Sequence, residues 1–250
     1  MELSLNEKTA IVTGASQGIG RAIVKQLAAE GVRVLAVGRN EALLQSLVAE
    51  ISDTNGQLPV IMVQDLNDPR SVRAITDNAL EAFGKIDILI NNAGKSQPLN
   101  IIDEHEKFRE SLLLELERPK QLTESVLSHF VNNRQGVILN VISTYELKSI
   151  NSSAIAKAAL VTWSKQLSAQ VGKYGIRVNC LQPGLIDTEN TRRIFSAAER
   201  KEFARREIPL GDFGKPEDMA GIATFLVSPM ANYMTGSVIT VDGGLRYHPF

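Results

Sequence analysis

The sequence predicts one α/β domain, a doubly wound parallel sheet of about seven strands with helices on both faces. Three observations carry that expectation. Short apolar segments alternate with longer helical patterns along the whole chain, the mark of repeated strand–helix–strand units. A glycine-rich turn joins the first strand to the first helix. At 250 residues and 44% hydrophobic content the chain can bury the core of one such unit, and no repeat, low-complexity tract or linker divides it.

Strand candidates fall at 9–12, 33–37, 59–63, 86–90, 137–141, 176–181 and 238–241, with helices in the intervals. The first is the most informative. Thr9-Ala10-Ile11-Val12-Thr13-Gly14-Ala15-Ser16-Gln17-Gly18-Ile19-Gly20 reads as a buried strand and a glycine turn, and Arg21 to Leu27 as an amphipathic helix. The glycines let backbone approach a pyrophosphate, and the helix N-terminus offers unpaired N–H groups and the positive end of its dipole. Dinucleotide binding is the reading, although a turn that serves packing alone uses the same residues.

Composition narrows the partners. Lys and Arg number 27 against 28 Asp and Glu, so nothing in the charge suggests a nucleic-acid or membrane-surface footprint. Met1 to Thr9 carries charges and no apolar leader core, and no apolar run is long enough to span a bilayer; the expectation is a cytoplasmic protein. The lone Cys180 falls in a strand candidate and reads as a small core residue. His105, His129 and His248 are scattered, so no metal site is expected.

Three further motifs follow in register: Asn91-Asn92-Ala93-Gly94 after an apolar run, Pro183-Gly184-Leu185-Ile186-Asp187-Thr188 after another, and Thr235-Gly236-Ser237-Val238-Ile239-Thr240-Val241-Asp242-Gly243-Gly244 near the end. With the TGxxxGxG turn, their order and spacing over almost the whole chain resemble the short-chain dehydrogenase/reductase family. The resemblance implies a single Rossmann domain over residues 1–250, with a substrate lid at about 188–210. It also implies a homotetramer or homodimer built through the two long helices that contain Glu115 and Lys157.

The same resemblance implies a cofactor site. It would comprise Gly14, Ser16, Gln17, Gly18, Ile19 and Gly20 in the turn, Asp65 and Leu66 at the adenine, Asn92, Ala93 and Gly94 along the ribose and pyrophosphate, Lys157 at the nicotinamide ribose, and Pro183, Gly184, Ile186 and Thr188 at the carboxamide end. At the end of the second strand, Gly38 stands where an NAD-binding member carries an acid, and Arg39 follows. A guanidinium there suits a 2′-phosphate, so NADP(H) is the expected cofactor. A solvated arginine at a strand end is the plainer account of Arg39.

The catalytic region departs from the family. Ser143 matches the serine that hydrogen-bonds the substrate oxygen, and Lys157 matches the lysine of the YxxxK motif, but the tyrosine position is Ser153. A phenol beside an ammonium can be tuned to serve as a general acid near working pH, whereas a serine hydroxyl is a much weaker acid. Ser153 also reads as a helix cap. Counting from Gly94 to the family's asparagine gives Glu115, which could pair with Lys157, act as an acid or base, or sit as a plain surface glutamate beside Glu117. The Ser143 to Ser153 separation is shorter than the family's, and it contains Tyr145, which either substitutes for the missing phenol or lines the pocket wall.

The expected function is an NADP(H)-dependent oxidoreductase acting on a carbonyl or alcohol with a non-standard general acid. A non-redox lyase, decarboxylase or isomerase, and a catalytically silent NADP(H)-binding protein, stand as alternatives. The substrate is expected to be a small molecule. The arginine-rich segment around Arg192, Arg193, Arg200, Arg205 and Arg206, with Lys95, leaves room for an anionic one, although interspersed glutamates make a solvated amphipathic helix the plainer account.

Overall fold

The computed structural model describes residues 2–100, 105–143 and 149–246. Seven parallel strands, β1 (Thr9–Thr13), β2 (Arg33–Gly38), β3 (Val60–Val63), β4 (Ile88–Asn91), β5 (Gly136–Val141), β6 (Ile176–Pro183) and β7 (Val238–Val241), lie in the order β3-β2-β1-β4-β5-β6-β7. Every adjacent pair is parallel, with Ile11 opposite Leu35 on one side of β1 and opposite Leu89 on the other. The expected doubly wound sheet is therefore present, and its strand ends differ from the sequence expectation by one or two residues.

The helices are α1 (Gly18–Ala29), α2 (Glu41–Asp53), α3 (Ser71–Phe83), α4 (His105–Leu112), α5 (Arg118–Asn133), α6 (Ser152–Val171), α7 (Glu189–Ile194), α8 (Ala197–Glu207) and α9 (Pro216–Val227). Successive strand residues point to opposite faces, and the core divides accordingly. Val12, Val34, Ile90, Leu139 and Leu181 pack with Ile23 and Leu27 of α1, Leu47 of α2 and Leu226 of α9. Ile11, Leu35, Leu89, Ile138 and Val178 pack on the other face with Ile75 of α3 and Leu122, Val126 and Phe130 of α5. Cover on both faces is why these strands are apolar at nearly every position.

Strand order reverses at β1, whose neighbours β2 and β4 are reached by connections running in opposite directions, so a crevice opens beyond the carboxyl ends of β1 and β4. The glycine turn and the Asn92 to Gly94 turn meet there. Among the described residues, no helix is long and apolar enough to cross a membrane.

Candidate active site

The turn after β1 is held open by backbone geometry. Gly14 has φ of +66°, and a Cβ on it would come within 2.8 Å of Ala93 Cα. A Cβ on Gly20 would meet Gly14 O at 2.3 Å. Both positions exclude a side chain. The Thr13 hydroxyl accepts the N–H of Asn92 at 3.0 Å and of Ala93 at 3.1 Å. The Asn92 amide in return donates to Thr13 O at 3.0 Å and Gly14 O at 3.1 Å. Thr13, part of the expected turn but not of the expected cofactor site, thus ties the two turns together, and Asn92 spends its NH₂ on that joint.

At the start of α1, Gln17 makes no side-chain cap, and the first turn holds no acid. The first N–H groups of α1 are left for a ligand, and with Ser16, Gly18 and Ile19 they fit a pyrophosphate. Arg21 is committed elsewhere: its guanidinium donates to Ser16 O at 3.2 Å, Leu43 O at 2.7 Å and Glu50 at 2.7 Å. Arg39, beyond the end of β2, is exposed.

Past β3, Asp65 accepts from the Asn67 N–H at 2.9 Å, closing a local turn, and Leu66 is buried. A buried arginine braces this loop from the far side. Arg118 donates through Nε to Leu66 O at 2.6 Å and through Nη2 to Asn67 O at 3.1 Å. Sequence reading missed Arg118, because a basic residue near a helix start looks solvated until its partners, some fifty positions away, are known.

The departures from the family meet in one buried cluster. Between α4 and α5 the helix widens into a π turn at Leu113–Glu117, where Arg118 N donates to Leu113 O. Pro119 lies four residues after Glu115; it lacks an N–H, and in an α-helix its ring would strike the carbonyl at that spacing. That proline was the available signal for the π turn, a feature that recurs at functional sites. Glu115 is 1% exposed, whereas Glu117 is exposed. The surface account of Glu115 is thereby excluded.

Glu115 accepts from the backbone N–H of Lys95 at 2.8 Å through Oε1 and from the Ser153 hydroxyl through Oε2. Lys157, one turn beyond Ser153 on α6, is buried and donates to Val141 O at 2.7 Å. Glu115 and Lys157 form no direct ion pair; a Cβ on Gly94 would lie 3.5 Å from both Glu115 Cδ and Lys157 Nζ. Burial pushes the Lys157 ammonium below the usual lysine range, and the Glu115 carboxylate opposes that shift. The cap of α6 is Asn151, which accepts from Ala154 N at 3.1 Å, so Ser153 is free of that duty.

Ser143 follows β5, half-buried, with its carbonyl accepting from Gln182 Nε2 at 3.0 Å. Tyr145 lies outside the described residues. Cys180 is buried in β6, and burial pushes its thiol up, as befits a core residue.

Pro183 ends β6 against Val241 of β7, and a Cβ on Gly184 would fall 2.6 Å from Asp242 Cα. Ile186 bridges Gly214, and Thr188 caps α7 in a reciprocal box with Thr191. The Thr188 methyl lies 3.2 Å from where a Gly18 Cβ would stand, which brings this loop over the glycine turn. Charges around α7 and α8 are largely spent on each other: Arg192 binds Asp187 at 2.9 Å, Arg205 binds Glu202 at 3.0 Å and Arg206 binds Glu207 at 2.7 Å. The solvated-helix account of these arginines fits better than an anion site.

Fold, glycine turn and buried lysine define a doubly wound α/β protein with a nucleotide crevice. A family profile described as enoyl-(acyl carrier protein) reductase matches residues 14–246. The chain belongs to that family, within the short-chain dehydrogenases/reductases, and is an oxidoreductase of that class. It is 34% identical to 3-oxoacyl-[acyl-carrier-protein] reductase FabG of Chlamydia muridarum, over 98% of this chain and 100% of the relative. Two solved structures superpose with TM-scores of 0.92. One is a 7α-hydroxysteroid dehydrogenase complexed with NADH and 7-oxo glycochenodeoxycholic acid (33% identity; 97% of this chain, 96% of that one). The other is L-sorbose reductase from Gluconobacter frateurii complexed with NADPH and L-sorbose (29% identity; 99% and 100%).

Proposed function

We propose that the chain is an NADP(H)-dependent oxidoreductase that interconverts a carbonyl and an alcohol without the family's phenol. The observation that carries this reading is Lys157, buried at the end of β5 where it donates to Val141 O, two residues before Ser143, and beside Gly94. A chain that only bound adenosine would not need that end of the crevice. The cofactor, when bound, supplies or accepts the hydride. The uncapped start of α1 would hold its pyrophosphate, and Arg39 its 2′-phosphate. Lys157 would hold the nicotinamide ribose, and Thr188 and the Ile186 backbone the carboxamide. Ser143 would hydrogen-bond the substrate oxygen as charge develops there. Helices α7 and α8 would form the lid over the substrate, and association into a cytoplasmic homodimer or homotetramer through α5 and α6 belongs to the same reading.

The test is NADPH oxidation with acetoacetyl-CoA, a 7-oxo bile acid and L-sorbose as probes. Turnover of a ketone is expected, with Ser143→Ala lowering it on the order of 100-fold. A substrate converted with no net change in NADPH, in protein stripped of cofactor, would move the chain to the non-redox class.

A second reading has one observation in its favour. Reduction of a carbon–carbon double bond conjugated to a carbonyl delivers the proton to carbon, and the oxygen then needs only a hydrogen-bond donor. Serine supplies that without a phenol, and the matching family is described as an enoyl reductase. Crotonyl-CoA reduced in preference to acetoacetyl-CoA would select it.

A further inference from the structure

We infer that Ser153 and Glu115 together form the proton path to the substrate oxygen, taking the place of the family's tyrosine. The inference rests on the carbonyl–alcohol reading above. Three observations carry it. The Ser153 hydroxyl donates its hydrogen to Glu115 Oε2, which leaves the serine lone pairs for a second partner. Glu115 is 1% exposed with its other oxygen already occupied by the Lys95 N–H, so Ser153 is the hydroxyl left to pass a proton to or from it. The π turn over Pro119 places the carboxylate there, while Ser153 has no capping duty on its own helix.

In the oxidation direction the substrate O–H bond breaks and its proton passes to Ser153 Oγ, while the serine's own proton passes to Glu115 Oε2. The electron pair of the substrate C–H bond leaves as hydride to the oxidised nicotinamide cofactor, and the carbonyl forms. Reduction is the same sequence reversed, with the proton drawn from Glu115 through Ser153 to the oxygen. Among the described residues, the charged groups facing Glu115 are Lys157 from α6 and, through its backbone only, Lys95 after β4; the Cys180 thiol also lies near Lys157. Lys157, which donates to Val141 O, is the neighbouring cation, and in its protonated form it favours the carboxylate left behind when the proton moves out. Ser153 is the group that touches the reacting oxygen, and Glu115 acts through it.

The experiment compares wild type with Ser153→Ala, Ser153→Thr, Glu115→Gln and the Ser153→Ala/Glu115→Gln double variant. The first readout needs no turnover. In protein carrying ¹³C-labelled glutamate, the infrared carboxyl band that Glu115→Gln abolishes should move in Ser153→Ala and stay in place in Ser153→Thr. NADPH affinity by fluorescence should be unchanged in all variants, which also reports their folding. With acetoacetyl-CoA and 3-hydroxybutyryl-CoA as probes, Ser153→Ala and Glu115→Gln should each lower kcat on the order of 100-fold with KM little altered. Their losses should not multiply in the double variant, and Ser153→Thr should retain activity. A Glu115 band indifferent to Ser153→Ala, or near-wild-type turnover in either single variant, overturns the relay while leaving the oxidoreductase reading intact. Wild-type protein that moves no hydride to or from either probe or the ketones above removes that reading and the relay with it.

Discussion

At the scale of single residues, most side chains of the candidate site are engaged by neighbours that also define the fold, and Arg39 stands out for its exposure at the end of β2. Gly38 before it bears no carboxylate; its place beside the turn, with Ser16 Cβ 3.2 Å from where a Cβ would stand, leaves little room for a larger residue. A charge-assisted contact between Arg39 and a 2′-phosphate is worth roughly 1.5 to 3 kcal/mol, about one to two decades of affinity. Arg39→Ala should narrow the preference for NADPH over NADH by that factor, read by fluorescence titration of both cofactors; equal affinities in wild type would refute the assignment. Arg118 makes the opposite point. Its hydrogen bonds to Leu66 O and Asn67 O join the loop after β3 to the start of α5, and a third, to Gln121, stays within that helix.

Among the elements, α6 carries the greatest burden, because Ser153 and Lys157 both lie in its first two turns. Its N-terminus depends on Asn151, which caps Ala154 N and also donates to Ser96 Oγ at 3.3 Å. Asn151→Ala should cost about 1 kcal/mol and lower the melting temperature by about 2 to 4 °C, with turnover falling further as the first turn frays. The α7–α8 segment is a unit of its own, with Phe195, Phe203 and Phe213 packed at centroid distances of 6.2 to 6.4 Å. It is tied back by Asp187, whose carboxyl the Arg192 guanidinium holds below the usual aspartate range. A carboxylate depressed in the folded state contributes stability above the ordinary aspartate value, and that contribution is lost as pH falls through the depressed one. The pair is largely exposed, so solvent screens it and its contribution is small. Limited proteolysis should therefore cut within 189–207 faster at acid pH, and Asp187→Asn should show the fast rate at neutral pH.

For the whole molecule, the crevice lies where strand order reverses, between elements from both halves of the chain, so a ligand bound there bridges them. A cofactor that binds only the folded chain stabilises it by about 2.7 kcal/mol at a hundredfold excess over Kd. For a chain of this size that raises the melting temperature by roughly 5 to 10 °C. NADPH should give this rise in a thermal scan and NADH, at the same concentration, a smaller one. No rise with either would argue against a nucleotide crevice.

The sequence by itself determined the sheet and the glycine turn, because both are encoded locally: a strand buried on two faces must be apolar along its length, and a phosphate turn needs glycine where backbone meets backbone. It also pointed to Ser143, Ser153, Glu115 and Lys157, because their spacing could be counted from motifs. What each of them faces was decided only by the tertiary structure. Ser153 and Glu115 are 38 positions apart, and Lys157 and Val141 are 16; no periodicity reports whether such groups touch. In the π turn Glu115 is buried while Glu117 stays in solvent, and the Lys95 N–H takes one of its oxygens. A buried carboxylate takes the donors that packing brings to it, and those of Glu115 come from the turn after β4 and from α6, which only the folded chain brings together.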